Sequence, residues 1–238
     1  MKLQGRLGPI VSILAMLTSS IPLLGACNQD DPPAAASGGD AGVAAGEFLL
    51  PWAVGNSWTY QVTGDGETST KVLTVGALEK VSGSGPNREL LANRTVTRKG
   101  EMDETVSWQN RVGDRVVRYR EQSFKASTGD PDVEEHWDPH KLHIDGSADR
   151  SVAGAHWVES YEETKIRSEG GTTSAQRTDQ WSVKAVDEEV TVPAGTFHAV
   201  VFEKKSTDTK TYWYAPGIGK VKETGGQTEE LVTYTVMP

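Results

Sequence analysis

Three of the five histidines lie close together, as His136, His140 and His143, with Asp138 between them. Imidazole and carboxylate groups can hold zinc or another divalent metal. On a helix the three histidines would share a face, but Pro139 disfavours helix at the residue before it. On a strand His136 and His140 would share a face that His143 would not. Because no standard metal motif is present, these four residues are weak metal candidates, and we expect a polar loop without metal or cofactor.

Signatures of hydrolytic chemistry are missing from the sequence. There is no G-x-S-x-G motif, and the one cysteine, Cys27, has a better explanation than catalysis. Adjacent carboxylates occur at positions 134–135, 162–163 and 229–230, but neighbours on a strand point to opposite faces. We therefore expect these pairs to lie on the solvated surface, and we expect no catalytic activity.

From residue 48 onward the chain consists of short runs rich in Val, Thr, Tyr and Trp, separated by Gly, Pro, Asn and Asp. This pattern predicts roughly a dozen strands at the spacing of a sandwich or barrel. The predicted fold class is all-β, an antiparallel meander forming a curved sheet, half-barrel or incomplete barrel. Little helix is expected beyond the N-terminal segment, although a short helix over residues 130–142 remains an alternative.

Three turns are predicted from their residue types. The first is Gly64-Asp65-Gly66, and the other two are residues 193–195 and 216–219, which combine Pro with Gly. Proline fixes φ and glycine accepts positive φ, so each turn can join two antiparallel strands as a hairpin.

The N-terminal segment has the organisation of a signal peptide. Lys2 and Arg6 precede a mostly apolar stretch over residues 7–24, which is marginal for a membrane-spanning helix and suits the apolar region of a signal. Residues 24–27, Leu-Gly-Ala-Cys, resemble the lipobox of bacterial lipoproteins. The resemblance implies cleavage after residue 26, a diacylglycerol thioether on Cys27, and usually a third acyl chain. An uncleaved anchor helix is the alternative.

Residues 27–47 read as the lipidated cysteine and a disordered tether, because this stretch is rich in Ala, Gly, Pro and Asp and has little to bury. Two or three acyl chains give stable membrane anchoring. Asn28, rather than an aspartate, follows the cysteine, which by the enterobacterial sorting rule favours the outer membrane over the inner. The expected location is therefore the cell envelope.

The remaining residues, 48–238, suffice for a single domain. Removal of residues 1–26 takes away two positive charges and no acid, which moves the formal net charge from −9 to −11. This acidic balance argues against binding of nucleic acid or anionic lipid headgroups.

Three short motifs, at residues 54–60, 192–197 and 212–222, resemble a group of bacterial surface and periplasmic lipoproteins. That group is similar to the TapB-like envelope proteins and is mostly of uncharacterised function. The resemblance implies a curved antiparallel sheet or incomplete barrel, loosely like lipoprotein carrier folds, and it carries over no catalytic residue.

The aromatic residues of these motifs allow two interpretations of function. They either build a solid core or line a cavity, and the candidates for a cavity wall are Trp58, Tyr60, Phe197, Trp213 and Tyr214. A solid core would suit an envelope binding or interaction module with a protein partner. A deep apolar cavity would suit a carrier of a lipid or other hydrophobic ligand.

Overall fold

The computed structural model describes residues 48–101, 103–125 and 129–237. These residues form twelve strands and one short 3-10 turn, Ala148–Arg150. The strands are β1 Ser57–Gly64, β2 Glu67–Lys80, β3 Leu91–Lys99, β4 Asp103–Val112, β5 Arg115–Phe124, β6 Val133–Asp145, β7 His156–Arg167, β8 Thr172–Val192, β9 Gly195–Lys205, β10 Thr209–Ala215, β11 Gly219–Thr224 and β12 Thr228–Thr235.

Each strand pairs antiparallel with the next strand in the chain, and β1 pairs with β12. This last ladder runs from Ser57 opposite Thr235 to Thr63 opposite Thr228 and closes the sheet into a barrel. The predicted all-β antiparallel meander is confirmed. The barrel is closed rather than incomplete because β12 reaches β1 along nearly the whole length of both strands.

The β1–β2 turn has the backbone expected from its residues. Asp65 and Gly66 have φ values of 52° and 81°, the positive pair that a tight hairpin turn of matching twist requires. The predicted turns at 193–195 and 216–219 also fall between consecutive strands, β8–β9 and β10–β11.

The alternative of a short helix over residues 130–142 is wrong, because β6 occupies most of this segment. Its first half pairs on both sides, so that Glu135 lies opposite Glu121 of β5 and Lys165 of β7. Pro139 lies where the β5–β6 register shifts, and no ladder hydrogen bond is required from it there.

One end of the barrel, which we call the closed end, contains the turns at 113–114, 146–155 and 216–218. Residues 48–52 lie across it: the Gly217 N–H donates to the Phe48 carbonyl at 2.9 Å, and the Arg111 guanidinium lies 3.3 Å from the Phe48 ring centroid. Leu49 and Leu50 are buried against an apolar core that includes Trp58 and extends along this end. The opposite end, which contains the turns at 65–66, 206–208 and 225–227, we call the open end.

Gly76 lies in the register shift between β2 and β3, where the two backbones approach closely. A Cβ at this position would overlap the carbonyl oxygen of Arg94, which is backbone and cannot rotate away. We therefore expect Gly76→Ala to lower the free energy of unfolding by about 1–3 kcal/mol, measured by urea denaturation. The exposed neighbour Ala77 provides the control, since Ala77→Ser should change it by less than about 0.5 kcal/mol. Equal stability of the two variants would contradict the close approach.

Candidate functional site

A cavity of about 660 Å³ occupies the interior of the barrel between the apolar core and the open end. This volume is within the range of small-molecule binding sites, roughly 300–1,000 Å³. Its wall combines aromatic and charged side chains. The aromatic ones include Trp52, Trp58, Tyr60, Trp181, Tyr212 and Tyr214, and the charged ones include Lys71, Arg118, Glu121, Lys141, Lys204, Lys210, Lys220, Glu223 and Glu229.

Three of the five aromatic residues proposed from sequence, Trp58, Tyr60 and Tyr214, lie on this wall. The side-chain donors of Trp58 and Tyr60 are used by the barrel itself. The indole N–H of Trp58 donates to the Ile218 carbonyl at 2.6 Å, and the Tyr60 hydroxyl donates to the Lys220 carbonyl at 3.0 Å. Trp58 and Tyr60 therefore offer ring faces rather than hydrogen-bond donors to the cavity.

The other two, Phe197 and Trp213, do not line the cavity. Successive residues of a strand point to opposite faces, so Trp213, between two cavity-lining tyrosines, points outward, where its indole N–H donates to Glu188 at 2.9 Å. Phe197 packs against Tyr234, with a ring-centroid distance of 6.4 Å.

Sequence reasoning missed Trp52, Trp181 and Tyr212 as parts of the wall. Trp52 precedes the first strand, so no alternation could place it. Trp181 shares a strand face with Val183, but the alternation shows only that the face is buried. Tyr212 could have been found, because it is two residues from Tyr214 on the same strand.

The expectation that adjacent carboxylates are solvated is wrong for Glu229, whose side chain is only 1% exposed. Glu229 points into the barrel and Glu230 points out, as alternation along β12 requires. Glu229 accepts hydrogen bonds from Lys71 at 2.8 Å and from Lys220 at 2.8 Å. Lys220 also forms an ion pair with Glu223, and Glu223 in turn pairs with Lys210 at 2.7 Å. We call these five residues the interior ion-pair network.

The network shifts the pKa values of Lys220, Glu223 and Glu229 in the directions that keep these groups charged. Burial alone would raise the pKa of Glu229, but the charges of Lys220 and Lys71 outweigh burial and hold the pKa below its usual value. Burial alone would lower the pKa of Lys220, yet Glu223 and Glu229 raise it well above its usual value. Lys71 has a lowered pKa despite its bond to Glu229, because burial and the charge of Lys220 dominate.

The four weak metal candidates lie on β6 and are too far apart in their contacts to form one site. Nε2 of His136 lies 2.7 Å from Oε1 of Glu134. His143 lines the cavity, and its Nδ1 lies 2.7 Å from Oε1 of Gln109. His140 lies against Tyr119, with a ring-centroid distance of 6.4 Å, and Asp138 is exposed. Within residues 48–101, 103–125 and 129–237, no group of three or more His, Cys, Asp or Glu side chains is arranged to hold a metal ion.

Ser84, His136 and Glu134 form a contact group outside the cavity that superficially resembles a catalytic triad. A triad uses one imidazole nitrogen for the nucleophile and the other for the carboxylate. Here Nε2 of His136 makes both contacts, 3.5 Å to Ser84 Oγ and 2.7 Å to Glu134 Oε1. Burial lowers the pKa of His136. The geometry is therefore that of a packed polar group beneath residues 83–85, whose Gly85 lies against the imidazole.

The chain matches no protein-family profile and no curated protein sequence. Among solved structures it is similar to a protein from Bacteroides fragilis NCTC 9343 that is assigned as exported and has a YmcC-like fold, with 14% identity over 79% of this chain and 99% of that one and a TM-score of 0.47. It is also similar to a protein from Parabacteroides distasonis ATCC 8503 assigned as a lipoprotein, with 12% identity over 79% and 99% and a TM-score of 0.39. At these values the two likenesses support no inference about this chain.

No helix among the residues that the structure describes is long and apolar enough to cross a membrane.

The interior ion-pair network generates a prediction about stability. Glu229→Gln should lower the free energy of unfolding near neutral pH by about 3–5 kcal/mol, because it removes the shared carboxylate from two buried lysines. The folded-state pKa of Glu229 is below its unfolded value of 4.5, so its contribution is complete above about pH 4.5 and is lost as pH falls through the lower folded-state value. The difference between the variant and the parent should therefore shrink below pH 4.5 in denaturant titrations at several pH values.

The control is the neighbouring Glu230→Gln, on the outer face of β12. Glu230 pairs with Lys222 at 2.9 Å and its side chain is 30% exposed, so the variant should lose less than about 1 kcal/mol. If the two variants were equally stable at pH 7, the network would not contribute as its burial implies.

Proposed function

We propose that this chain is a lipid-anchored envelope protein whose barrel binds a small molecule in its central cavity without catalysing a reaction. The observation that carries the proposal is the cavity of about 660 Å³ inside a closed sheet. Small barrels fill their interiors with side chains, whereas larger ones enclose space for a ligand. Here the apolar core fills the closed end, and the rest of the interior is left as a chamber.

The wall favours an amphipathic ligand over a purely hydrophobic one. On one side Trp181 and Tyr212 stack with their ring centroids 5.8 Å apart, and such faces accept apolar or aromatic groups. Charged side chains share the same chamber, and an entirely apolar molecule would desolvate them without replacing their hydrogen bonds. The ligand that fits both kinds of wall has an apolar body and a polar group.

The anchor is proposed from the sequence, because Cys27 and the tether at residues 28–47 lie outside the described residues. Residues 48–52, which follow the tether in the chain, lie across the closed end of the barrel. Asn28 favours the outer membrane as the location.

A native mass spectrum of the protein, extracted from its host membrane in mild detergent, tests the ligand proposal. We expect an additional mass of small-molecule size that organic extraction removes. Thr97 lines the cavity, so Thr97→Trp should fill part of the chamber and abolish the additional mass. Thr233→Trp, at an exposed position on β12, should retain it.

A clean protein mass for the parent, or an adduct that survives equally in both variants, would count against a ligand in the cavity. Either result would move the assignment towards an interaction module with a protein partner. Circular dichroism of each variant is the control that tests whether the barrel is intact.

The anchor is tested separately by Cys27→Ala. The variant should lose incorporation of a palmitate analogue and leave the membrane fraction, because Cys27 is the residue to which the acyl groups would be attached. Asn28→Ala leaves the cysteine in place and should keep both properties. Continued labelling of the Cys27→Ala variant would contradict lipidation at this residue.

A further inference from the structure

Lys141 is a cavity-lining cation with no ionic partner in the described part of the chain. Its Nζ lies 5.0 Å from the ring centroid of Trp137 and 5.8 Å from that of Tyr161. Across residues 48–101, 103–125 and 129–237 it makes neither an ion pair nor a side-chain hydrogen bond. The Lys141 side chain is only partly exposed, and holding an unpaired ammonium group away from water costs free energy, so its position calls for an explanation.

The carboxylates near Lys141 are each engaged by another cation. The pairs are Glu135 with Lys165 at 2.7 Å, Asp179 with Lys204 at 2.8 Å, and Glu163 with Arg177 at 3.1 Å. Each of these acids therefore has another cation in direct contact, while the charge of Lys141 acts on Glu163 from a longer distance. Lys141 adds a positive charge that the surrounding wall does not balance.

Arg118 is the second cation at this position. It lies directly opposite Lys141 in the β5–β6 ladder, and both side chains line the cavity. Its Nη1 donates to Glu121 at 2.6 Å, while its Nε is buried without a hydrogen-bond partner. The guanidinium group thus retains a donor that the described residues do not use.

The electrostatics of Lys141 agree with this arrangement. Burial lowers its pKa, and the charges of Lys204 and Arg118 lower it further. Glu135 and Asp179 act in the opposite direction but do not offset the combined effect. An anion beside Lys141 would relieve both the desolvation and the repulsion.

We propose that Arg118 and Lys141 bind the anionic group of the cavity ligand, a carboxylate or a phosphate monoester, while the aromatic wall contacts the rest of the molecule. The inference rests on the proposed function and deepens it by naming the class of ligand. A guanidinium fork and an ammonium point charge side by side are a common means of holding such oxyanions. Lys71, Lys210 and Lys220 belong to the interior ion-pair network, where Glu223 and Glu229 engage them. Arg118 is also paired, with Glu121, but it keeps one unused donor.

A first test needs no ligand. If Lys141 serves to bind a ligand, its unpaired charge destabilises the barrel when no ligand is present. Lys141→Met removes that charge, so it should raise Tm by about 2–4 °C after ligand has been extracted. Lys204→Met should do the opposite, because it leaves Asp179, with a side chain only 1% exposed, without its cation. A lower Tm for Lys141→Met would show that Lys141 stabilises the barrel and would overturn the proposal.

A second test uses three probes with the detergent-solubilised, extracted full chain: 1-naphthyl phosphate, neutral 1-naphthol and inorganic phosphate. By calorimetry, 1-naphthyl phosphate should bind the parent more tightly than 1-naphthol does. Lys141→Met and the polar variant Lys141→Gln should weaken its binding by roughly tenfold to a hundredfold. Lys222→Met should bind it as the parent does, since Lys222 lies on the outer face over Trp213.

The outcomes separate the two proposals. Equal binding of 1-naphthyl phosphate and 1-naphthol, or unchanged affinity in both Lys141 variants, would overturn the anion site while leaving the cavity as a ligand site. Failure of the phosphate ester to bind would also overturn the anion site, and the adduct seen by native mass spectrometry would then decide the proposed function independently. If inorganic phosphate competes with 1-naphthyl phosphate, the anionic group alone is sufficient for binding. If it does not compete, contact with the aromatic wall is needed as well.

Discussion

Charge balance inside the sheet is the constraint on which the rest of this barrel depends. Lysine and glutamate side chains that point inward are largely removed from water, and an unmatched one costs several kcal/mol. Glu223 and Glu229 meet this requirement by sharing Lys220 between them. The charged residues of this network can therefore line the chamber without an unmatched inward charge among them.

The two ends of the barrel differ in the side chains that fill them. At the closed end Leu49, Leu50 and Trp58 join a continuous apolar core, and the segment that precedes β1 covers it. Towards the open end the apolar core gives way to charged and aromatic wall residues around the chamber. The packed apolar core and the chamber thereby lie towards opposite ends of one sheet.

Much of the fold follows from local sequence, whereas the site does not. Alternation and turn chemistry, such as the positive φ values at Asp65 and Gly66, fix strands and hairpins because both depend on neighbouring residues only. Alternation also predicts that Trp213 and Tyr214 point to opposite faces of the sheet, once the inward face is known. It could not show that Glu229 is buried, because an inward glutamate is stable only when lysines from distant strands reach it, and that depends on the closed three-dimensional arrangement.

The ladder between β1 and β12 has a consequence for the order in which the barrel assembles. All other strand pairs join neighbours in the chain, so they can form as successive hairpins without contacts between distant segments. The final ladder, together with the 2.7 Å hydrogen bond from the Met237 N–H to Asn56, joins segments from opposite ends of the domain. Until residues 228–235 arrive, the growing sheet has two unpaired edges that can template pairing with other chains. Formation of the β1–β12 ladder is therefore the step that removes the last exposed strand edges of the barrel.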